Sequence, residues 1–173
     1  PNGMNMYSPV YLRKLRAACD AAQVHLIADE IAVGFGRTGT LFACEQAGIA
    51  PDFLCVSKGI TGGYMPFAAV VVRDQAVYDA FYGEYAEFKA FYHSHSYTGN
   101  PMACRLALEV LGILQADVMP ALAPRIAALS RVLAALRTAP GVGETRQCGL
   151  IGAVELVADA AAKRSFPVTR RVG

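Results

Sequence analysis

Apolar positions along the chain switch between helical and extended spacing. Tyr11, Leu12, Leu15, Ala18 and Cys19 recur at helical intervals behind Ser8, a capping residue, and Pro9, which suits a first helical position, so a helix is predicted over residues 9–22. Short unbroken apolar runs follow at 24–28, 53–56 and 68–72, the first ending on Asp29-Glu30 and the second on Ser57-Lys58. Such runs read as strands covered on both faces, as in a mostly parallel sheet between helices. Residues 31–41 form a Gly-rich loop, and Thr61-Gly62-Gly63 a turn. Asp74 caps a helix to about Tyr82, an aromatic and His-rich connection spans 83–100, and Asn100-Pro101 opens a helix to about Leu114. A further helix is expected from about 120 to 137, then strands at 142–146 and 150–157, the second alternating with polar Glu155. The change in texture after the strand–helix alternation divides the chain into residues 1–116 and 117–173.

Composition narrows the class. Of 173 residues, 54% are hydrophobic and 17% charged, which excludes a polar disordered chain and supplies a sizeable core. No apolar run reaches the length of a membrane span, and Pro1-Asn2-Gly3 begins no signal-peptide pattern. A net charge of +2 gives no footprint for nucleic acid or an anionic membrane. Five scattered cysteines, an odd number, read as free thiols in a reducing cytoplasm. The first residue is Pro and the last four are Arg170-Arg171-Val172-Gly173, so the chain is expected to be an excerpt of a larger α/β protein.

The candidate chemistry lies at two strand ends. Asp29 follows one buried strand, where open α/β sheets bind ligands, and a carboxylate there needs a facing cation. Lys58 follows another, about one crossover later, with Ser57, Gly59 and Gly62-Gly63 leaving room around it. The alternative for Asp29 is a helix cap or salt-bridged core acid, and Lys58 taken singly reads more readily as a surface lysine at a strand end; its value comes from the pairing with Asp29. Together they suit pyridoxal phosphate, which needs an amine to bond it, a carboxylate to keep its pyridine nitrogen protonated, and donors for its phosphate. Ser96, Thr98 and Gly99 offer hydroxyl and N–H groups of that kind, or ordinary turn chemistry ahead of the Asn100 cap.

Three other motifs carry less. Gly34-Phe35-Gly36-Arg37-Thr38-Gly39 fits G-x-G-x-x-G, but five residues separate it from the strand-end Ala28 and no acid closes a second strand at the required distance. Residues 26–30 look like the metal-binding strand of an ATPase, without a phosphate loop in the chain. His93 and His95 have no neighbouring Cys or carboxylate and make a weak metal site, so no metal is expected.

Residues 26–39, with Asp29, Gly34, Gly36, Arg37 and Gly39, resemble the central signature of class III aminotransferases, and residues 55–63 resemble their lysine segment. The resemblance implies a fold-type I pyridoxal-phosphate transferase, here the later part of a large cofactor domain and the start of a small α+β domain. It implies Lys58 as the cofactor-bonding catalytic lysine, Asp29 as the partner of the pyridine nitrogen, and Ile31 packed on one ring face. His95 and Ser96 match positions that reach the phosphate from the neighbouring subunit of a homodimer; relatives often carry Thr where Ser96 stands. Ser94 matches a substrate-contacting position that is often Gly. Arg37 lies near substrate in the family, and reads equally as a loop residue paired with Glu30 or Glu45.

Residues 40–45, 49–52 and 93–101 look like the branch that transfers an amine from S-adenosylmethionine to 8-amino-7-oxononanoate in biotin biosynthesis. Other class III enzymes, acting on ω-amino acids or diamines, would use the same Asp29 and Lys58. By itself a piece of this extent is expected to be inactive.

Overall fold

In the computed structural model, residues 4–93, 95–162, 164–170 and 172 are described. Helix α1 spans Pro9–Ala22, with the Ser8 side chain accepting from the Val10 N–H at 3.2 Å. Gln23 turns left-handed to end it, its N–H bonding back to Asp20. Leu12, Leu15 and Cys19 form a half-buried stripe, whereas Tyr11 and Ala18 are exposed. That stripe lies against the short 3-10 turn Ala43–Ala47.

Three strands form the first sheet in the order β1 (Ile27–Asp29), β2 (Phe53–Val56), β3 (Ala69–Val72). The first strand starts later than its apolar run. The Leu26 N–H is taken by the Asp52 carboxylate at 2.7 Å rather than by a neighbouring strand. β1 and β2 are parallel and β3 joins antiparallel. A parallel return needs a crossover, usually helical, whereas the link from β2 to β3 holds only the 3-10 turn Lys58–Thr61 and folds straight back. Two side chains tie that fold: the Ser57 hydroxyl donates to the Phe67 carbonyl at 2.6 Å, and the Thr61 hydroxyl to Met65 at 2.7 Å.

Helix α2 is short, Gln75–Asp79, with Asp74 capping it as expected. Helix α3, Pro101–Ile113, opens on Asn100, whose side chain accepts from Met102 and Ala103. Its buried residues are small, Ala103 and Ala107, which lets it approach the Lys58–Thr61 turn closely. Residues Leu114–Val118 continue it as a wider π turn, and α4 (Leu122–Leu136) follows after a 72° bend. Phe35, Val56, Ile60, Ala107 and Leu114 make the core, so it lies directly beneath the turn that begins with Lys58.

α4 packs on an antiparallel hairpin of β4 (Val142–Cys148) and β5 (Ile151–Leu156). Gln147 fastens the two, donating to the carbonyls of Ile126 (3.1 Å) and Gly149 (3.0 Å) and accepting from Ser130 (2.7 Å). Among the described residues no single helix is long and apolar enough to cross a membrane; only the bent pair of α3 with its π turn and α4 qualifies when counted together.

Candidate active site

The parallel register sets the site. Asp29 aligns with Cys55, and only Val56 and Ser57 separate Cys55 from Lys58. Asp29 and Lys58 therefore leave the sheet at the same end, from neighbouring strands, as the sequence leads one to expect. Asp29 Oδ1 accepts the Ile31 N–H at 3.0 Å, which fixes the turn out of β1. Its other oxygen has no partner among the described residues, and the Lys58 amine forms no ion pair among them. Both side chains are exposed rather than enclosed in a crevice. Ile31 is half-buried beside them.

Lys58 has φ +46°, a left-handed conformation that a side-chain-bearing residue rarely adopts. Such conformations cluster at functional sites, held by their surroundings. Beyond it, a Cβ built on Gly63 would meet nothing within 4 Å. An unpaired amine, an unpaired carboxylate oxygen and open space at one sheet end fit a pyridoxal phosphate: amine for the aldehyde, carboxylate for the ring nitrogen.

The Gly-rich loop serves packing. A Cβ on Gly36 (φ +87°) would lie 3.2 Å from both Met119 Sδ and Leu122 Cδ1, so α4 starts directly against this loop. The hairpin tip closes from the other side, the Leu150 N–H donating to the Arg37 carbonyl at 2.9 Å. The Arg37 side chain is exposed. The ion-pair reading of Arg37 fails, because Glu30 accepts instead from the Ala43 and Cys44 N–H groups (2.7 and 2.8 Å) and Glu45 from Phe42 (3.1 Å). Glu30 is only 2% exposed, with each oxygen held by a backbone N–H, so it is shut off from the water that the base of an ATPase would activate.

His95 and Ser96 are exposed on a turn ahead of α3. His95 Nδ1 accepts from the Tyr97 N–H at 3.2 Å, so the neutral ring carries its proton on Nε2 and can donate outward. The Thr98 hydroxyl accepts from the His95 N–H at 3.1 Å. Ser94, expected at the substrate, lies outside the described residues.

Sequence reasoning did not single out Asp52. The residue is 6% exposed, and its carboxylate accepts from Leu26 N–H, Arg16 and Arg73, each at 2.7 Å. These bonds, the Leu26 N–H foremost and then Arg16, hold its pKa down at about 2. It locks α1, the entry to β1 and the end of β3 behind the site. No local spacing signals this, since Arg16 is remote in sequence. Cys44 is buried beside Glu30, and burial first, then that negative charge, pushes its thiol up to about 11.

This arrangement is that of a fold-type I transferase, and the comparisons agree. The class III aminotransferase family model matches residues 1–173. The chain belongs to that family. It is 48% identical over 172 residues to the adenosylmethionine-8-amino-7-oxononanoate aminotransferase of Geobacter sulfurreducens, and 46% identical over 172 residues to that of Nitratidesulfovibrio vulgaris. The matches cover 99% of this chain but 38% and 32% of those relatives, so it spans about a third of their length. Among solved structures, the aminotransferase of the same name from Methanocaldococcus jannaschii superposes with a TM-score of 0.89 at 38% identity, over 97% of this chain and 39% of that one. An (S)-enantioselective omega-transaminase from Thermomicrobium roseum gives 0.88, also at 38% identity, over 99% and 38%.

Proposed function

We propose that this chain forms the cofactor-holding centre of a cytoplasmic, homodimeric aminotransferase that moves an amine from S-adenosylmethionine to 8-amino-7-oxononanoate. The reading is carried by one observation: the Asp29–Cys55 register that brings Asp29 and Lys58 to one end of paired parallel strands. When bound, pyridoxal phosphate supplies an electron sink for charge developing on the amine-bearing carbon. Lys58 Nζ would hold the cofactor; once displaced by the donor's amine, the freed Nζ would take the proton from the donor's amine-bearing carbon and later return one to the acceptor. Asp29 keeps the pyridine nitrogen protonated through its negative charge. Ile31 orients the ring from one face. His95, through Nε2–H, and Ser96 donate to the phosphate in the partner subunit's site, and Ser94 and Arg37 border the substrate. Residues 1–116 serve as part of the large domain and 117–173 as the beginning of the small one.

The test is Lys58→Ala in the chain expressed with whatever flanking sequence its gene encodes. Loss of the cofactor's visible absorbance band and of transamination supports the reading; a retained band overturns it. A second reading is favoured by the nearly equal superposition on the omega-transaminase. Turnover of an ω-amino acid in place of 8-amino-7-oxononanoate would select it.

A further inference from the structure

The conformation of Lys58 needs a cause. Below it the chain is fixed by the buried Ile60, by the buried Thr61 and by the Ala103–Ala107 face of α3. In the same core, packed directly on the turn, stands Phe35 from the Gly-rich loop. A Cβ built on Gly59 would lie 2.8 Å from Phe35 Cδ2 and 2.9 Å from Phe35 Cβ, distances that real side chains do not tolerate. Gly59 is not left-handed, so what bars a side chain there is this ring and not the backbone. Phe35 is itself left-handed (φ +57°), nearly buried, and held edge-on by Phe42 with ring centroids 5.5 Å apart. Two strained residues from separate signature segments thus brace each other through one glycine.

We infer that Phe35 is a positioning residue for Lys58: its ring, seated on Gly59, sets the backbone conformation that aims the Lys58 amine. This rests on Lys58 being the cofactor-bonding lysine. A group bonded to a reacting cofactor must keep its direction, and a misplacement of about 1 Å costs on the order of 100-fold in rate.

The test uses the cofactor-loaded protein with its natural flanking sequence, carrying Gly59→Ala, Phe35→Leu, Phe35→Tyr, or Gly59→Ala with Phe35→Leu. Three quantities are read: the pH midpoint of the visible absorbance band, kcat and KM separately, and the melting temperature. Gly59→Ala is expected to lower kcat about 100-fold while KM changes less than about 3-fold, and to move the band's midpoint. Phe35→Leu does the same more weakly, Phe35→Tyr keeps the ring and retains the midpoint, and the double variant regains kcat because room for the methyl is restored. A fall in melting temperature with midpoint and kcat unchanged makes Phe35 mere packing and overturns the inference. Should Phe35→Leu not fold, Gly59→Ala decides alone. The underlying assignment fails separately: in that case Lys58→Ala keeps the band.

Discussion

The Leu150 N–H donates to the carbonyl of Arg37 at 2.9 Å, tying the tip of the β4–β5 hairpin to the Gly-rich loop after β1. The contact is intimate because Gly149, at φ +59°, lies so close that an added Cβ would overlap the Thr38 backbone. Arg37 is therefore carried between two parts of the chain, and its backbone is fixed while its side chain is exposed.

Gly149→Ala should consequently separate the hairpin from the loop. Both the left-handed backbone and the overlap oppose the methyl, and a loss on the order of 3 kcal/mol is expected. Gly63→Ala, also left-handed (φ +84°) but facing open space, should lose only about 1 kcal/mol. Denaturant midpoints of the two variants measure the difference. Equal losses would mean that the hairpin contact contributes nothing.

Asp52 predicts an acid-sensitive fold. Its folded pKa of about 2 lies below the ordinary 3.8, so its contribution is fully present above the ordinary value and is lost as pH falls through about 2. Asp52→Asn should weaken the fold by roughly 2 kcal/mol at neutral pH through its charged hydrogen bonds. The gap between the native chain and the variant should narrow between pH 4 and 2 in thermal melts, whereas a gap independent of pH would remove the carboxylate's charge from the account.

Cys44 should resist alkylation. The reactive species is the thiolate, and a thiol held at about 11 and 8% exposed supplies almost none near neutral pH. Iodoacetamide at pH 8, followed by peptide mass analysis, should leave Cys44 unmodified in the folded chain and label it after denaturation. Labelling of Cys44 in the folded chain at the rate seen in the unfolded one contradicts its burial.

Asp29→Asn tests charge apart from shape. The amide oxygen can still accept the Ile31 N–H, so the turn out of β1 should persist and the melting temperature should hardly move. Turnover of the cofactor-loaded protein should fall by about 100-fold or more, the scale for losing one preorganised electrostatic partner. Unchanged turnover would detach Asp29 from the ring nitrogen.

The sequence by itself determined the local elements and the identity of the chemical groups. Ser8-Pro9, Asp74 and Asn100-Pro101 are caps whose signals lie within a turn of the helices they start, and the apolar runs ending on Asp29 and Ser57-Lys58 carry their own strand signal. Whatever depends on residues distant in the chain was decided only by the tertiary structure. The antiparallel entry of β3, the Arg16–Asp52–Arg73 lock, the engagement of Glu30 with residues 43–44 and the seat of Phe35 on Gly59 arise from packing between segments. Local spacing cannot encode them, because a hydrogen bond or a close approach between two segments depends on where both chains run. For the same reason G-x-G-x-x-G, legible as a phosphate motif, proves to be the place where a helix and a hairpin close on a loop that side chains would hold open.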